Sequence, residues 1–152
     1  MNFKLYLLLL MIVVFTSCKN NNVYDEFDNQ FNENRWDKND IRSFEFNCES
    51  DLKDGSIYLH IGHIYDFQFE AIPVQIKITH PNGVIENLNI QVQMKNSEGK
   101  DIGDCSGDVC DLYYPIRKNI DLKKGKYVFE VKNEFAHSFL PNILGIGIQI
   151  LK

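Results

Sequence analysis

From residue 40 onward, apolar and polar side chains alternate along short runs of the chain. Successive side chains of a strand point to opposite faces of a sheet, so a period of two predicts β-strands. The runs that alternate are residues 41–46, 56–62, 65–71, 73–80, 87–95, 126–132 and 145–152. No segment shows the 3.6-residue period of an amphipathic helix. The pattern therefore predicts an all-β domain.

Polar segments that contain glycine separate these runs and predict tight turns. Examples are "HPNG" (80–83) and "KKGK" (123–126), which place glycine beside asparagine or lysine. Short strands with close turns predict an antiparallel β-sandwich, either jelly-roll or immunoglobulin-like. Each run has one polar side, so each sheet is expected to keep one face in water. Phe129 falls on the apolar side of its run and is expected in the core.

Residues 1–17 have the pattern of a secretory signal peptide. Lys4 precedes the apolar run "LYLLLLMIVVF" (5–15), and the small residues Thr16 and Ser17 follow it. This is the order of a basic n-region, an apolar h-region and a cleavage site. The apolar run is shorter than the stretch of about 20 residues that a transmembrane helix needs. An uncleaved N-terminal anchor helix is the alternative.

The cysteine at position 18 predicts where the mature chain begins. "FTSC" (15–18) resembles the lipobox of bacterial lipoproteins, whose cysteine is acylated and becomes the first mature residue. The match departs from the box at Phe15, where leucine is usual. On this resemblance we expect Cys18 to carry lipid, and two or more acyl chains would anchor the protein stably. The polar sequence after it predicts a tether over 18–34 and a β-sandwich domain over 35–152.

The charge of the chain argues against a nucleic-acid partner. There are 16 Lys and Arg residues against 21 Asp and Glu residues, and phosphate binding needs clustered basic side chains. The densest basic run, "DLKKGKY" (121–127), is predicted to be a solvated turn. After the predicted signal peptide, the remaining length is that of one ordinary domain.

The candidate catalytic groups do not form a recognisable motif. Ser56, His60 and Asp66 supply the residue types of a triad, but no "GxSxG" segment frames a serine. His60 and His63 are three residues apart and would face opposite sides of a strand, which argues against a shared metal site. We expect His60 on a wet strand face and His63 in the adjoining loop. We therefore predict no catalytic residue, no cofactor and no resident metal.

Two further groups of residues invite a binding interpretation. Four aspartates crowd one glycine-containing segment: Asp101, Asp104, Asp108 and Asp111. Calcium prefers such oxygen ligands, but the EF-hand spacing is absent, so a polar hairpin loop is the prediction. Tyr58, Tyr113 and Tyr114 are the candidate stacking platform for a sugar or a peptide. Aromatic residues are also ordinary strand formers, and that interpretation is favoured.

The cysteines after Cys18 are odd in number, so one thiol stays free or pairs with another chain. An exported domain meets an oxidising compartment. Cys105 and Cys110 are the closest pair, and Gly107 between them suits a tight turn, so a disulfide between them is predicted. The alternatives are a bond from Cys48 to either cysteine, and a zinc site formed by all three.

The order of several motifs resembles the gliding motility lipoprotein GldH family of the Bacteroidota. The motifs are "VYDEF" (23–27), "RWDKNDIRSFEF" (35–46), "YDFQFEAIPVQIKITHPNG" (65–83), "MKNSEGKDIGDCSGD" (94–108), "GKYVFEVKNEF" (125–135) and "LPNILGIGIQILK" (140–152). Together they span nearly the whole chain. The segment "CSGDVC" (105–110) departs from the family's usual loop, so this chain is similar to a divergent member.

The resemblance implies an envelope lipoprotein that is a non-catalytic accessory component of the gliding machinery. The implied partners are membrane lipid and other proteins of that machinery. "CKNNN" (18–22) lacks the acidic run expected of surface-exported lipoproteins in this phylum, which favours a periplasm-facing position. The alternative function is an envelope β-sandwich that binds carbohydrate or peptide. An exposed cluster of aromatic side chains beside acids would indicate that alternative.

Overall fold

The computed structural model describes residues 21–152, and the regular elements of this part of the chain are almost all β-strands, as predicted. The strands are β1 (Asn22–Asp28), β2 (Arg35–Asp37), β3 (Arg42–Cys48), β4 (Leu52–Ile64), β5 (Ala71–Thr79), β6 (Ile85–Gln93), β7 (Asp104–Ser106), β8 (Val109–Leu122), β9 (Gly125–Asn133), β10 (Phe139–Pro141) and β11 (Ile143–Leu151). One 3-10 turn at Asn32–Asn34 lies between β1 and β2. Within the described range, no helix is long and apolar enough to cross a membrane.

The strand pairs are nested around the turn between β5 and β6. Moving outward from that turn, β5 pairs with β6, β4 with β8, β3 with β9 and β1 with β11. The nested pairs form one long antiparallel hairpin, which is rolled so that β9 also pairs with β5 and β11 with β4. The two main sheets are ordered β1-β11-β4-β8-β7 and β3-β9-β5-β6, and β2 and β10 form a separate two-stranded sheet. Of the two predicted sandwich types, this arrangement is the jelly roll.

The hydrophobic core lies between the inner faces of the two sheets. In β5 the side chains alternate strictly between buried and half-buried, as the period-two pattern predicts. The core side chains of the four-stranded sheet include Phe44, Phe46, Val74, Ile76, Ile78, Val92, Phe129 and Val131. Those of the five-stranded sheet include Ile57, Leu59, Ile61, Leu112, Ile146, Ile148 and Ile150. Phe129 is fully buried, which confirms its predicted place in the core.

Strand β1 lies within the segment that the sequence analysis assigned to the tether. Its residues pair with β11 from Asn22↔Leu151 to Asp28↔Ile146, so the domain begins at Asn22 rather than at residue 35. The prediction of a tether reaching residue 34 is therefore wrong. Gly147 explains the close fit of β1: a Cβ at that position would lie 2.4 Å from the carbonyl oxygen of Glu26. Only glycine lets the two backbones approach this closely.

Arg42 of β3 links the end of β1 to the four-stranded sheet. Its guanidinium contacts the carboxylate of Asp28 at 2.6 Å and that of Asp40, and it lies over the Phe31 ring at 4.2 Å. Desolvation opposes the charge on Asp28, but the Gln30 backbone N–H and Arg42 outweigh it and lower the pKa of that carboxyl group. Desolvation also opposes the charge on Arg42, but its pairing with Asp28 and Asp40 outweighs desolvation and raises the pKa of Arg42. Both groups therefore stay charged and hold β1 against β3.

A buried polar side chain holds the short β2–β10 ribbon against the core. Trp36 of β2 is fully buried, and its indole N–H donates to the carbonyl of Asp40. The Asn133 side chain, also fully buried, donates to the carbonyls of Trp36 and Asp37 at 3.0 Å. Its oxygen accepts the N–H of Phe135. Because each polar atom of this amide has a partner, its burial carries little desolvation penalty.

Residues 65–70 do not form the strand that their alternation predicted. Asp66 has φ 56°, which turns the chain away from an extended path. Its backbone N–H donates to the Asp101 carboxylate at 2.6 Å. Phe67 is buried but Tyr65 is 58% exposed, so the two aromatic rings do not share one face. The strand itself starts at Ala71.

Candidate functional site

His60 lies in a row of aromatic rings on the outer face of the five-stranded sheet. Its ring stacks on Phe27 at 4.2 Å and on Tyr113 at 4.3 Å between centroids. Its Nε2 atom contacts the carboxylate of Asp111 at 2.7 Å. Burial, together with the charges of Asp25 and Asp111, raises the pKa of Tyr113. The expectation that His60 sits on a wet strand face is wrong, because these rings cover it and leave it 7% exposed.

The three residues that resembled a triad have separate partners. His60 is bound by Asp111, whereas the carboxylate of Asp66 pairs with Lys95 at 2.8 Å. Lys95 lowers the pKa of Asp66 accordingly. The hydroxyl of Ser56 accepts the backbone N–H of Asn119. The geometry therefore gives no nucleophile with an oriented base among these three groups.

His63 and Cys110 face each other across β4 and β8 at one end of the sandwich. His63 lies in β4, not in a loop as expected, and both residues are fully buried. The Nδ1 atom of His63 is 2.9 Å from the carbonyl oxygen of Ile64. A carbonyl only accepts, so Nδ1 carries a proton, and in the neutral ring Nε2 then carries the lone pair. His60 and His63 lie on opposite faces of β4, as their spacing predicted.

The four aspartates of the predicted hairpin loop do not converge on one point. Asp111 points to the outer face and binds His60, whereas the Asp101 carboxylate accepts a hydrogen bond from the backbone N–H of Asp66. Asp104 and Asp108 are exposed. A calcium ion needs six to eight oxygen ligands around one centre, and this arrangement does not supply them. The polar hairpin prediction describes the segment better.

Cys105 and Cys110 are joined by a disulfide, with an S–S distance of 2.01 Å and a Cα–Cα distance of 4.0 Å. They are directly opposite each other in the β7–β8 hairpin, whose turn contains Gly107 at φ 63°. Cys48 is buried and free, and its thiol donates to the carbonyl of Ser50 at 3.0 Å. Desolvation by burial raises the pKa of that thiol. The pairing in the structure is the predicted one, and Cys48 takes no part in it.

The three tyrosines do not form a common platform. Tyr113 lies opposite His60 and Tyr114 opposite Leu59, so the two adjacent tyrosines face opposite sides of β8. Tyr114 packs against the core. The exposed rings of Phe27 and Tyr113 form a row with His60, and this row lies beside Asp111. It is the feature named above for the carbohydrate- or peptide-binding alternative, and local sequence patterns do not reveal it because its members come from three strands.

Strand β6 forms one free edge of the four-stranded sheet along its whole length. Within residues 21–152 it pairs only with β5, and it runs for nine residues. It contains no lysine, arginine or proline, the residues with which natural sheets protect their edges. Its one charged residue, Glu86, already contacts His80 and Arg117. This edge therefore presents unpaired backbone groups that another extended chain can bind.

The direction of the backbone N–H groups in β6 follows from its neighbours. The carbonyl of Pro73 accepts the N–H of Glu134, so Pro73 points toward β9. Gln91 lies opposite Pro73 across the β5–β6 pair. In an antiparallel pair, a residue opposite one that points away also points away. The N–H and C=O of Gln91 therefore face outward at the free edge.

Comparison with known proteins places this antiparallel sandwich in a class of bacterial envelope lipoproteins. Residues 22–150 match the family described as GldH lipoprotein. The chain belongs to that family, and the match begins where β1 begins.

Two relatives extend over nearly the full length. The chain is 22% identical to "Gliding motility lipoprotein GldH homolog" of Christiangramia forsetii, over 99% of this chain and 96% of that protein. It is 24% identical to "Gliding motility lipoprotein GldH" of Flavobacterium johnsoniae, over 95% of this chain and 93% of that protein. No solved structure matches the chain. The predicted lipid site, Cys18, lies outside the residues that the structure describes.

Proposed function

We propose that this protein is a lipid-anchored component of the cell envelope that serves the gliding motility machinery without catalysing a reaction. The observation that carries the proposal is the family match over residues 22–150. Both relatives are named as gliding motility lipoproteins or homologues and align over nearly their whole length. An alignment that spans the complete jelly roll supports a shared role for the whole domain.

A non-catalytic role is consistent with how the polar side chains of the domain are used. His60 is held between two aromatic rings and bound by Asp111, and Asp66 pairs with Lys95. A catalytic base needs free access to the proton that it abstracts. These groups are instead engaged in ring stacking, a hydrogen bond and one ion pair, which supports an interaction role.

Anchoring through Cys18 would hold the domain close to the bilayer. Strand β1 starts at Asn22, so only residues 19–21 separate it from the lipid-bearing cysteine. A fully extended chain from Cys18 to Asn22 reaches at most about 14 Å. The domain would then work within about one domain diameter of the membrane, on the periplasmic side. Its partners must therefore be membrane proteins or proteins bound close to the membrane.

The lipid anchor predicts a complete change of fractionation for Cys18→Ala. The wild-type protein is expected in the membrane fraction, because two or more acyl chains bind a bilayer stably. Cys18→Ala is expected to lose acyl labelling and to appear as a soluble or an unprocessed chain. Fractionation with metabolic acyl labelling measures both properties, and Cys48→Ala serves as the matched cysteine control. Acyl label retained by Cys18→Ala would refute the anchor.

The free edge of β6 is the proposed docking surface for an extended segment of another envelope protein. Gln91→Pro removes one outward N–H and places a ring on the edge, while leaving the hydrogen bonds between β6 and β5 intact. Gln91→Thr keeps the N–H and favours a strand. After mild crosslinking in cells, wild type and Gln91→Thr are expected to retain their co-purifying envelope proteins, and Gln91→Pro to lose them. Equal recovery with all three forms would reject this edge as the docking surface.

A further inference from the structure

At the end of the sandwich opposite the start of β1, three potential metal ligands converge from separate parts of the chain. His63 comes from β4, Cys110 from β8, and Asp101 from the segment before β7. Their ligand atoms all lie within 4.8 Å of one another. Two of these atoms, Nε2 of His63 and Oδ1 of Asp101, are buried without a hydrogen-bond partner. Buried polar atoms are normally paired, so this arrangement needs an explanation.

His63 is oriented as a metal ligand would be. Its Nδ1–H donates to the carbonyl of Ile64, which fixes the ring and leaves the Nε2 lone pair directed into the cluster. Metal-binding histidines characteristically use the second ring nitrogen in this way. Gly103 lies next to Nε2 of His63, and a Cβ atom at position 103 would be 3.3 Å from that nitrogen. The glycine therefore leaves room for an ion to approach.

Asp101 is also held in place. Its Oδ2 accepts the backbone N–H of Asp66 at 2.6 Å, which leaves Oδ1 available. A surface cavity lined by Tyr65, Lys100, Gly103 and Cys105 opens beside the cluster. Cys105 is exposed, whereas Cys110 is fully buried. The cavity provides an entry path for an ion, and the disulfide can be reached from solvent.

We propose that reduction of the Cys105–Cys110 disulfide opens a zinc site formed by the two thiolates, His63 and Asp101. In thiol–disulfide exchange, a dithiol reductant breaks the S–S bond and becomes a disulfide itself, while each cysteine gains one electron and one proton. Zn²⁺ then displaces the two thiol protons. Two sulfur ligands, one imidazole nitrogen and one carboxylate oxygen complete the tetrahedral set that zinc prefers. The disulfide form keeps the sulfur atoms bonded to each other and the site closed.

Zinc titration of the full-length lipoprotein in detergent tests this proposal. All samples carry Cys48→Ala, which removes the unrelated thiol. The protein is compared with and without prior reduction by a phosphine, and Zn²⁺ is added in competition with a chromophoric chelator. The reduced protein is expected to bind one Zn²⁺ per chain, at least about tenfold more tightly than the oxidised protein. Co²⁺ in place of Zn²⁺ is expected to give a thiolate-to-metal absorption band in the reduced form alone.

Two ligand variants and one control complete the test. His63→Gln and Asp101→Asn are each expected to weaken Zn²⁺ binding by about tenfold or more. The control is His137→Gln, which changes an exposed histidine between β9 and β10 and is expected to leave Zn²⁺ binding unchanged. Asp101 is only half-buried, so its substitution keeps the test valid if His63→Gln does not fold. Equal Zn²⁺ affinity in the reduced and oxidised proteins would overturn the proposal. Unchanged affinity in every ligand variant that folds would overturn it as well.

Discussion

Phe129→Asp is expected to leave the domain unfolded. Phe129 is fully buried in β9, between Phe44 of β3 and Ile78 of β5. Loss of a buried phenylalanine costs about 3–5 kcal/mol, and a buried carboxylate without a partner adds several kcal/mol. The sum is comparable to the whole stability of an ordinary domain, about 5–15 kcal/mol. We therefore expect no cooperative unfolding transition for this variant.

Circular dichroism and thermal melting of the purified protein measure this outcome. Gln75→Asp is the matched control, because Gln75 lies on the outer side of β5, opposite Asn89 and Lys132. The same carboxylate in contact with water and beside a lysine is expected to change the unfolding free energy by only about 0.5 kcal/mol. A cooperative melt of Phe129→Asp near that of wild type would show that the inner face has been misassigned.

The periodic runs of the sequence predicted the central strands because those strands are regular. The alternation from residue 73 to 80 matches β5, in which one face is buried along the whole strand. Residues 65–70 carry the same alternation but form a bend. The reason is a tertiary contact, because the backbone N–H of Asp66 donates to the carboxylate of Asp101, 35 residues away in sequence. No local pattern contains that information.

Strands β1 and β8 were missed for two different reasons. β1 is a sheet edge with few buried residues, so its sequence has the polar composition of a tether. β8 is the longest strand, but its pairing with β4 shifts register at three places between Leu52 and Tyr58. Each bulge breaks the period of two. Pro115, opposite Tyr58 beside one of these shifts, further hides the strand.

The candidate sites likewise differ in whether local sequence or tertiary contacts determine them. The Cys105–Cys110 pair was accessible to sequence reasoning, because its members are five residues apart across a glycine turn. The cluster of His63, Asp101 and Cys110 was not, because three separate segments supply it. The signal that the sequence did contain was the position of His63 at the end of an apolar run, which is compatible with a buried strand. The alternating run ends at Gly62 and predicts a loop at His63, whereas β4 extends to Ile64.

Deletion of the gene from a gliding host is expected to abolish colony spreading or reduce it strongly. A non-catalytic component of the machinery, as proposed above, is expected to be needed for movement and not for growth. The family match over residues 22–150 and the names of both relatives motivate this expectation. The phenotype should depend on both the anchor and the edge, since both are proposed to place the domain against its partners.

Complementation separates these requirements. At matched protein levels, wild type and Gln91→Thr are expected to restore spreading. Cys18→Ala and Gln91→Pro are not, because the first loses the membrane and the second loses the free edge of β6. Restoration of spreading by Gln91→Pro would reject the β6 edge as the docking surface but would leave the proposed role in gliding intact.

Spreading of the clean deletion strain is the most direct test of the role in gliding. Single-cell tracking on agar should be scored alongside colony spreading, so that a growth defect is not mistaken for a motility defect. The account predicts non-motile cells with a normal growth rate, and recovery of movement when the wild-type gene is returned. Normal spreading and normal single-cell movement in the deletion strain would contradict it.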